Sequence, residues 1–408
     1  MRVLVCPQEF KGSLTAVEAT DALVAGVRRV LPDVDVDRCP LADGGPGTVE
    51  AVASAAGGRY TPTNVDGPLG APVAARWARI PEAARWARIP EAHPRAVRRG
   101  SRPAVPNKAH TAVIEMAAAS GLLLVPPAQL DPRRASTYGT GQLLRAALDA
   151  GVGRILIGVG GSATNDAGSG AAAALGVRFL DDEDAVLPPG GAALARLARI
   201  DIAELDPRLR ETEIVVLADV TNPLLGPDGA SAVYGPQKGA DAEAVAELER
   251  ALTNFADIVA RDLDVNLADM PGAGAAGGLA GGLVAFAGAS IESGFARVAE
   301  VVRLASRATD ADLILTGEGR LDRQSTFGKT VAGVAAVALD ASVPCLAVAG
   351  LVEDEDQVRA LPGLTDLEAG TGPNEDLDQA LREAPQRITA ASARLLDRHR
   401  ELGESAGR

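Results

Sequence analysis

"RVLVCPQEFKGSLT", residues 2–15, is an apolar, strand-like run that turns into a polar loop just ahead of the helical pattern "AVEATDALVAGVRRVLP". Strand, loop and helix in that order open an α/β unit. A second strand follows in "VDVDRCPLA", ending at "DGGPGT" and a further helix, "VEAVASAAGG". The partners of these strands lie at the far end of the chain, where "ADLILTGEG", "VPCLAVAG" and the weaker "LTDLEAG" alternate with "GKTVAGVAAVALD", "DEDQVRAL" and a long C-terminal helix. Five strands divided between the two chain ends make one doubly wound parallel sheet. Ligands bind beyond the carboxyl ends of such strands, where "QEFKGS", "DGGPG" and "GEGRLDRQS" fall.

Between these ends lies a second pattern. Strands are expected at "PVAARWARI", "TAVIEMA", "RILIGVG", "VRFL" and "EIVVLADV", and helices at "GTGQLLRAALDAG" and "AEAVAELERALTNFADIVARDL". The expected organisation is therefore a discontinuous domain of residues 1–62 and 291–408, with an inserted α/β domain at 63–290. One segment breaks the pattern: "ARWARIPEA" at 75–83 repeats at 84–92 and runs into the basic, proline-rich "HPRAVRRGSRPAVPNKAH". With no amphipathic period, it reads as a local duplication followed by a surface loop.

Composition narrows the function. The 408 residues carry a formal charge of −14, which argues against a nucleic-acid partner. No apolar run is long enough to span a bilayer, and the first residues lack a signal-peptide pattern, so a cytoplasmic enzyme is expected. Cys6, Cys39 and Cys345 are widely spaced and read as reduced core residues, while none of His93, His110 and His399 adjoins a glycine motif. Histidine triads and histidine-ligated metals are thereby disfavoured.

The chain holds only four lysines among 40 basic residues, and Lys11, Lys238 and Lys329 each abut a glycine. An ammonium beside a backbone that can approach closely suits a phosphate or carboxylate. A further glycine loop, "GVGGSATNDAGSG" at 158–170, follows a strand and precedes a helix, the setting in which free N–H groups surround an anion. It contains no lysine. The loop "PGAGAAGGLAGG" reads instead as tight helix packing.

Taken together, "FKGSLTA", "PLADGGPGTVEA", "TAVIEMAAASGL", "STYGTGQLLRAALDAG", "GVGGSATNDAGSG", "ADVTNPLLGPDGASAVYGPQKGA" and "TGEGRLDRQSTFGK" resemble, in order and over most of the chain, the bacterial glycerate kinases. The resemblance implies a flavodoxin-like domain made from both chain ends and an inserted restriction-endonuclease-like domain. It also implies ATP-dependent phosphorylation of D-glycerate with Mg²⁺, usually to 2-phosphoglycerate. Glycerate 3-kinase activity and a non-catalytic sugar-acid-binding role are the alternatives, and a homodimer is the assembly to test. Gln8, Glu9 and Pro46 depart from the family's usual "PDSFKGS" and "ADGGEGT".

Bringing two anions together calls for cations, N–H donors and a metal. The residues expected to act in catalysis are Lys11, Asp43, Asp166, Asp219 and Glu318, with Asp43, Asp219 and Glu318 supplying the oxygen ligands that Mg²⁺ prefers. Expected to hold substrate or phosphate are Ser13, Gly44, Gly45, Gly160, Gly161, Ser162, Thr164, Asn165, Asn222, Lys238, Gly317, Gly319, Arg320 and Lys329. Two readings of Asp166 stand: it orients or deprotonates the attacking hydroxyl, or it only shapes the turn. A nucleotide-dependent oxidoreductase is the rival for the sheet, but "PQEFKGS" lacks the glycine fingerprint for pyrophosphate.

Overall fold

The computed structural model describes residues 1–81, 110–321, 330–372 and 375–406. The second "ARWARIPEA" copy, the basic segment after it, and Lys329 lie outside the described residues. In chain order the strands are β1 (Arg2–Val5), β2 (Asp35–Arg38), β3 (Arg59–Asp66), β4 (Pro72–Pro81), β5 (His110–Glu115) and β6 (Arg154–Gly158). There follow β7 (Arg178–Leu180), β8 (Arg199–Asp201), β9 (Glu213–Leu217), β10 (Ser290–Glu292), β11 (Leu313–Leu321), β12 (Cys345–Val352) and β13 (Asp366–Ala369).

The chain forms two compact units, Met1–Asp43 with Phe295–Arg408, and Gly44–Gly294. The first is built on a five-stranded sheet in the order β13-β12-β11-β1-β2, parallel throughout. Read from β2, this is the flavodoxin order, with its switch point between β1 and β11. Strand periodicity sorts the two faces of β12: Leu346 and Val348 join one core with Leu23, Val27 and Leu395, whereas Ala347 and Ala349 join the other with Val331, Val358 and Leu367. Thr15 and Glu18 form a capping box at the start of the helix Ala16–Val30. That helix meets the C-terminal helix Ala384–Ala406 closely, because a Cβ at Gly26 would lie 2.5 Å from Ser392 Cβ.

The second unit carries a six-stranded sheet, β10-β9-β6-β5-β4-β3. Its four strands from β10 to β5 are parallel, and β4 and β3 are antiparallel additions at the edge. The helices Tyr138–Asp149 and Leu279–Ala287 contribute Leu143, Leu144, Leu279 and Leu283 to the sheet's core. A separate cluster, in which the Phe179 and Phe286 rings meet edge to face, packs under the long helix Ala242–Leu263.

This division moves the expected boundary. Residues 44–62 belong with the inserted unit, because β3 pairs along its whole length with β4 and the helix Thr48–Ala56 is held by Glu115 of β5. Residues 291–294 join it as well, through the pairing of β10 with β9. Among the described residues no helix is long and apolar enough to cross a membrane.

Candidate functional site

In the first unit the loop after β1 lies at the switch point of the sheet. Gln8, 5% exposed, donates from Nε2 to Asp43 Oδ2 at 3.1 Å and accepts at Oε1 from Thr330 Oγ1. One amide therefore ties the ends of β1 and β2 to the start of the helix Thr330–Ala341. Lys11 follows on the exposed tip, with no ion pair among the described residues. Gly12 takes φ +80°, which turns the chain back, and Ser13 Oγ donates to Phe10 O at 3.0 Å. The Ser13 hydroxyl thus closes the turn.

The β11 side is shaped by close backbone approach. A Cβ at Gly317 would lie 2.2 Å from Val348 O, and one at Gly319 would lie 2.8 Å from Lys11 N. "FKGS" consequently rests against "GEG", with the half-buried Glu318 and the exposed Arg320 beside it. Arg320 pairs with Glu353 at 2.5 Å, so its guanidinium is partly committed before any ligand arrives. Asp43 and Glu318 end up at the carboxyl ends of β2 and β11, the two strands flanking β1.

In the second unit, "GVGGSATNDAGSG" divides into a solvent-facing tip and a buried root. Gly158 and Gly160 sit where a Cβ would lie 2.4 Å from Gly44 O and 2.6 Å from Gly45 Cα, and Gly160 N donates to Gly44 O at 3.0 Å. The glycines are needed for chain crossing. Gly44 meets Leu217 O of β9 in the same way, so the loops after β6 and β9 and the stretch after Asp43 interlock. At the tip, Gly161 is exposed with φ +74°, and Ser162 is 9% exposed. The N–H groups of Gly161 and Ser162 meet no protein acceptor among the described residues. These two amides can receive an anion.

The root is committed internally. Asp166 is fully buried, and its carboxylate accepts from Thr137 N at 2.8 Å, Thr137 Oγ1 at 2.9 Å, Gly168 N at 3.1 Å and Gly170 N at 3.2 Å. Burial pushes its pKa up, and the donors oppose that rise. All four donors to this carboxylate come from the protein, the geometry that the turn-shaping reading describes. Asn165 Nδ2 donates to Ser231 Oγ at 3.0 Å, and Thr164 is wholly buried. Lys238, 1% exposed, donates from Nζ to Thr164 O at 2.6 Å. Asn222 bridges Asp228 O and the Tyr234 hydroxyl. Thr164, Asn165 and Lys238 are thus buried and Asn222 half-buried, each with at least one polar group bonded within the protein.

Asp219, half-buried just beyond β9, accepts from Ser293 Oγ at 2.7 Å and Gly294 N at 2.9 Å. Sequence reasoning missed Glu115, whose carboxylate accepts from Val49 N at 2.7 Å and from Gly47 N. It occupies the N-terminus of the helix after "DGGPGT", an end already filled from within. Only a lone acid at the end of a predicted strand signalled it. Among the described residues no group of three or more His, Cys, Asp or Glu is arranged to hold a metal ion.

The glycerate kinase family matches residues 3–400. The Bacillus subtilis (strain 168) protein named glycerate kinase is 41% identical over 401 residues, covering 97% of this chain and 98% of its own. The Escherichia coli (strain K12) glycerate 2-kinase is 40% identical over 392 residues, 96% of each chain. A crystal structure from Salmonella typhimurium LT2, bearing the name glycerate kinase 2, superposes with a TM-score of 0.78 at 41% identity and covers 99% of both chains. With the match running over nearly the whole of both compact units and over every glycine loop described above, the chain belongs to the glycerate kinase family.

Proposed function

We propose that this protein is a phosphotransferase acting on an alcohol group, transferring the γ-phosphoryl of ATP to D-glycerate with Mg²⁺ and giving 2-phosphoglycerate. The observation that carries this reading is the turn at the exposed Gly161 and the buried Ser162, whose two N–H groups are without acceptors among the described residues. Such a tip offers backbone donors to phosphate oxygens and needs no side-chain charge. Support for the 2-position comes from the name of the Escherichia coli relative at 40% identity.

The chain's own groups divide into those that bind and those that accept. Lys11, exposed at the switch point, provides an ammonium for a phosphate or for the substrate carboxylate. Arg320, paired with Glu353, brings a guanidinium to the carboxyl end of β11. Asp43, Glu318 and Asp219 are the carboxylates we assign to a metal or to the hydroxyl proton. Their oxygen chemistry suits Mg²⁺, which commonly takes one or two carboxylates and completes its shell with phosphate oxygens and water. Such an ion would offset charge on the transferring phosphoryl.

The test is ADP release from ATP and D-glycerate, followed by phosphorus NMR of the product. A 2-phosphoglycerate signal is expected. A 3-phosphoglycerate signal would transfer the reading to the 3-kinase, and no ADP above background with any divalent metal would end it.

A further inference from the structure

Lys238 is a buried cation that the chemistry above does not use. It closes the short 3-10 turn Pro236–Lys238, and Gly239 then reverses the chain at φ +94°. Its ammonium reaches 74 residues back in sequence to the Thr164 carbonyl. That carbonyl is held from a second direction, because a Cβ at Gly277 would lie 2.0 Å from it. Polar partners are scarce nearby: Thr164 Oγ1 and Asn165 Oδ1 are buried without a hydrogen-bond partner. The acidic group whose charge acts on Lys238 is Asp166, itself enclosed by Thr137, Gly168 and Gly170.

Tethers hold the tip on both sides. Before it, Gly160 N donates to Gly44 O and Met116 N donates to Gly158 O; after it, Ala163 N donates to Ser120 O, and then comes the Lys238 contact. We infer that Lys238 is a positioning residue for the phosphoryl-transfer reaction, fixing the Gly160–Ser162 tip through the Thr164 carbonyl without touching ligand. This rests on the reading of that tip as a phosphate-binding face. A flexible stem with a point donor suits one buried carbonyl, whereas a guanidinium fork would need further acceptors that point its way. Removing the donor leaves a third buried acceptor unpaired and releases the loop on its C-terminal side.

The experiment compares wild-type enzyme with Lys238→Met and Lys238→Arg, by melting, by amide hydrogen exchange of residues 158–170 and by kinetics with ATP and D-glycerate. For Lys238→Met the inference expects faster exchange confined to that segment, and kcat lower by about 10- to 100-fold, the scale of an ångström-sized misplacement. Lys238→Arg, which keeps a donor, should recover part of both. A folded Lys238→Met with wild-type kcat and KM overturns the inference, whatever its exchange. A wild-type enzyme that releases no ADP overturns the proposed function instead. Should the Met variant fail to fold, Lys238→Arg supplies the test: its fork lacks the further acceptors it needs there, so 158–170 should exchange faster and kcat should be lower than in wild type, and wild-type exchange and kcat in a folded Arg variant overturn the inference.

Discussion

Around Asp166 four donors determine what a substitution does. Thr137 N, Thr137 Oγ1 and Gly170 N converge on Oδ2, while Gly168 N points at Oδ1. Asparagine can present one oxygen to the first three, but its amide nitrogen then faces the Gly168 N–H, donor against donor. Asp166→Asn is therefore expected to cost roughly 1–3 kcal/mol of stability, the scale of a buried unsatisfied polar group. Urea unfolding measures it, and unchanged stability with a collapsed kcat would point to the catalytic role instead. Lys11 is the opposite case. Exposed and without an ion pair among the described residues, it can become methionine with little change in melting temperature. The KM for ATP or for glycerate should rise by about tenfold, equivalent to losing about 1.4 kcal/mol of binding; unchanged values for both would remove Lys11 from the site. Lys238 supplies the pH dependence. Burial lowers its pKa to about 7 from an ordinary 10.5, against the pull of Asp166. Between those values the unfolded chain binds a proton that the folded one does not, so this residue makes stability rise with pH across that window. Lys238→Met should flatten the rise, and an unaltered slope in urea midpoints would show that Lys238 does not titrate there.

Among the elements, the helix Thr48–Ala56 begins with no capping side chain of its own, Gly47 standing at φ +91°. Its cap comes from β5, where Glu115 accepts from Val49 N and Gly47 N. Glu115→Ala is expected to cost about 1–2 kcal/mol, as the loss of a helix cap does, with faster exchange at the Val49 amide. Exchange unchanged at Val49 would show that the amide has found another acceptor. This element also marks where sequence reading stops. The strands and helices themselves were legible, because apolar runs and 3.6-residue periods are local signals. Glu115 was not, since its partner lies 66 positions away and a single acid in "TAVIEMA" carries no period. The glycines of "GVGGSATNDAGSG" were legible as a loop after a strand. Their division was not: Gly158 and Gly160 serve backbone crossing, whereas Gly161 and Ser162 leave donors free among the described residues. Burial of Thr164, Asn165 and Asp166 depends on Lys238, Ser231 and Thr137 arriving from distant segments.

Across the whole molecule, the split sheet of the first unit could be read from strands at both chain ends, but the inserted unit's boundary could not. "DGGPGT" looks like the turn that follows β2 and opens the next helix of the same sheet, and local periodicity does not say which sheet a helix covers. Pairing decides it. β3 pairs residue by residue from Arg59–Arg79 to Asp66–Pro72 with β4, and Glu115 holds the preceding helix. This yields a test by fragment. Residues 44–294 contain the six-stranded sheet, its core and the phenylalanine cluster entire, so that fragment is expected to fold alone with cooperative thermal unfolding. A fragment of residues 63–290, cut where the sequence pattern alone would cut, lacks half of β3, the helix Thr48–Ala56, and the Gly44 and Gly45 backbone against which Gly158 and Gly160 pack. It also loses most of β10, and with it the edge pairing to β9. This shorter fragment should give a broad, weakly cooperative transition or none. Equal stability of the two fragments by calorimetry would show that residues 44–62 add nothing to the inserted unit, and would return the boundary to the place where periodicity alone puts it.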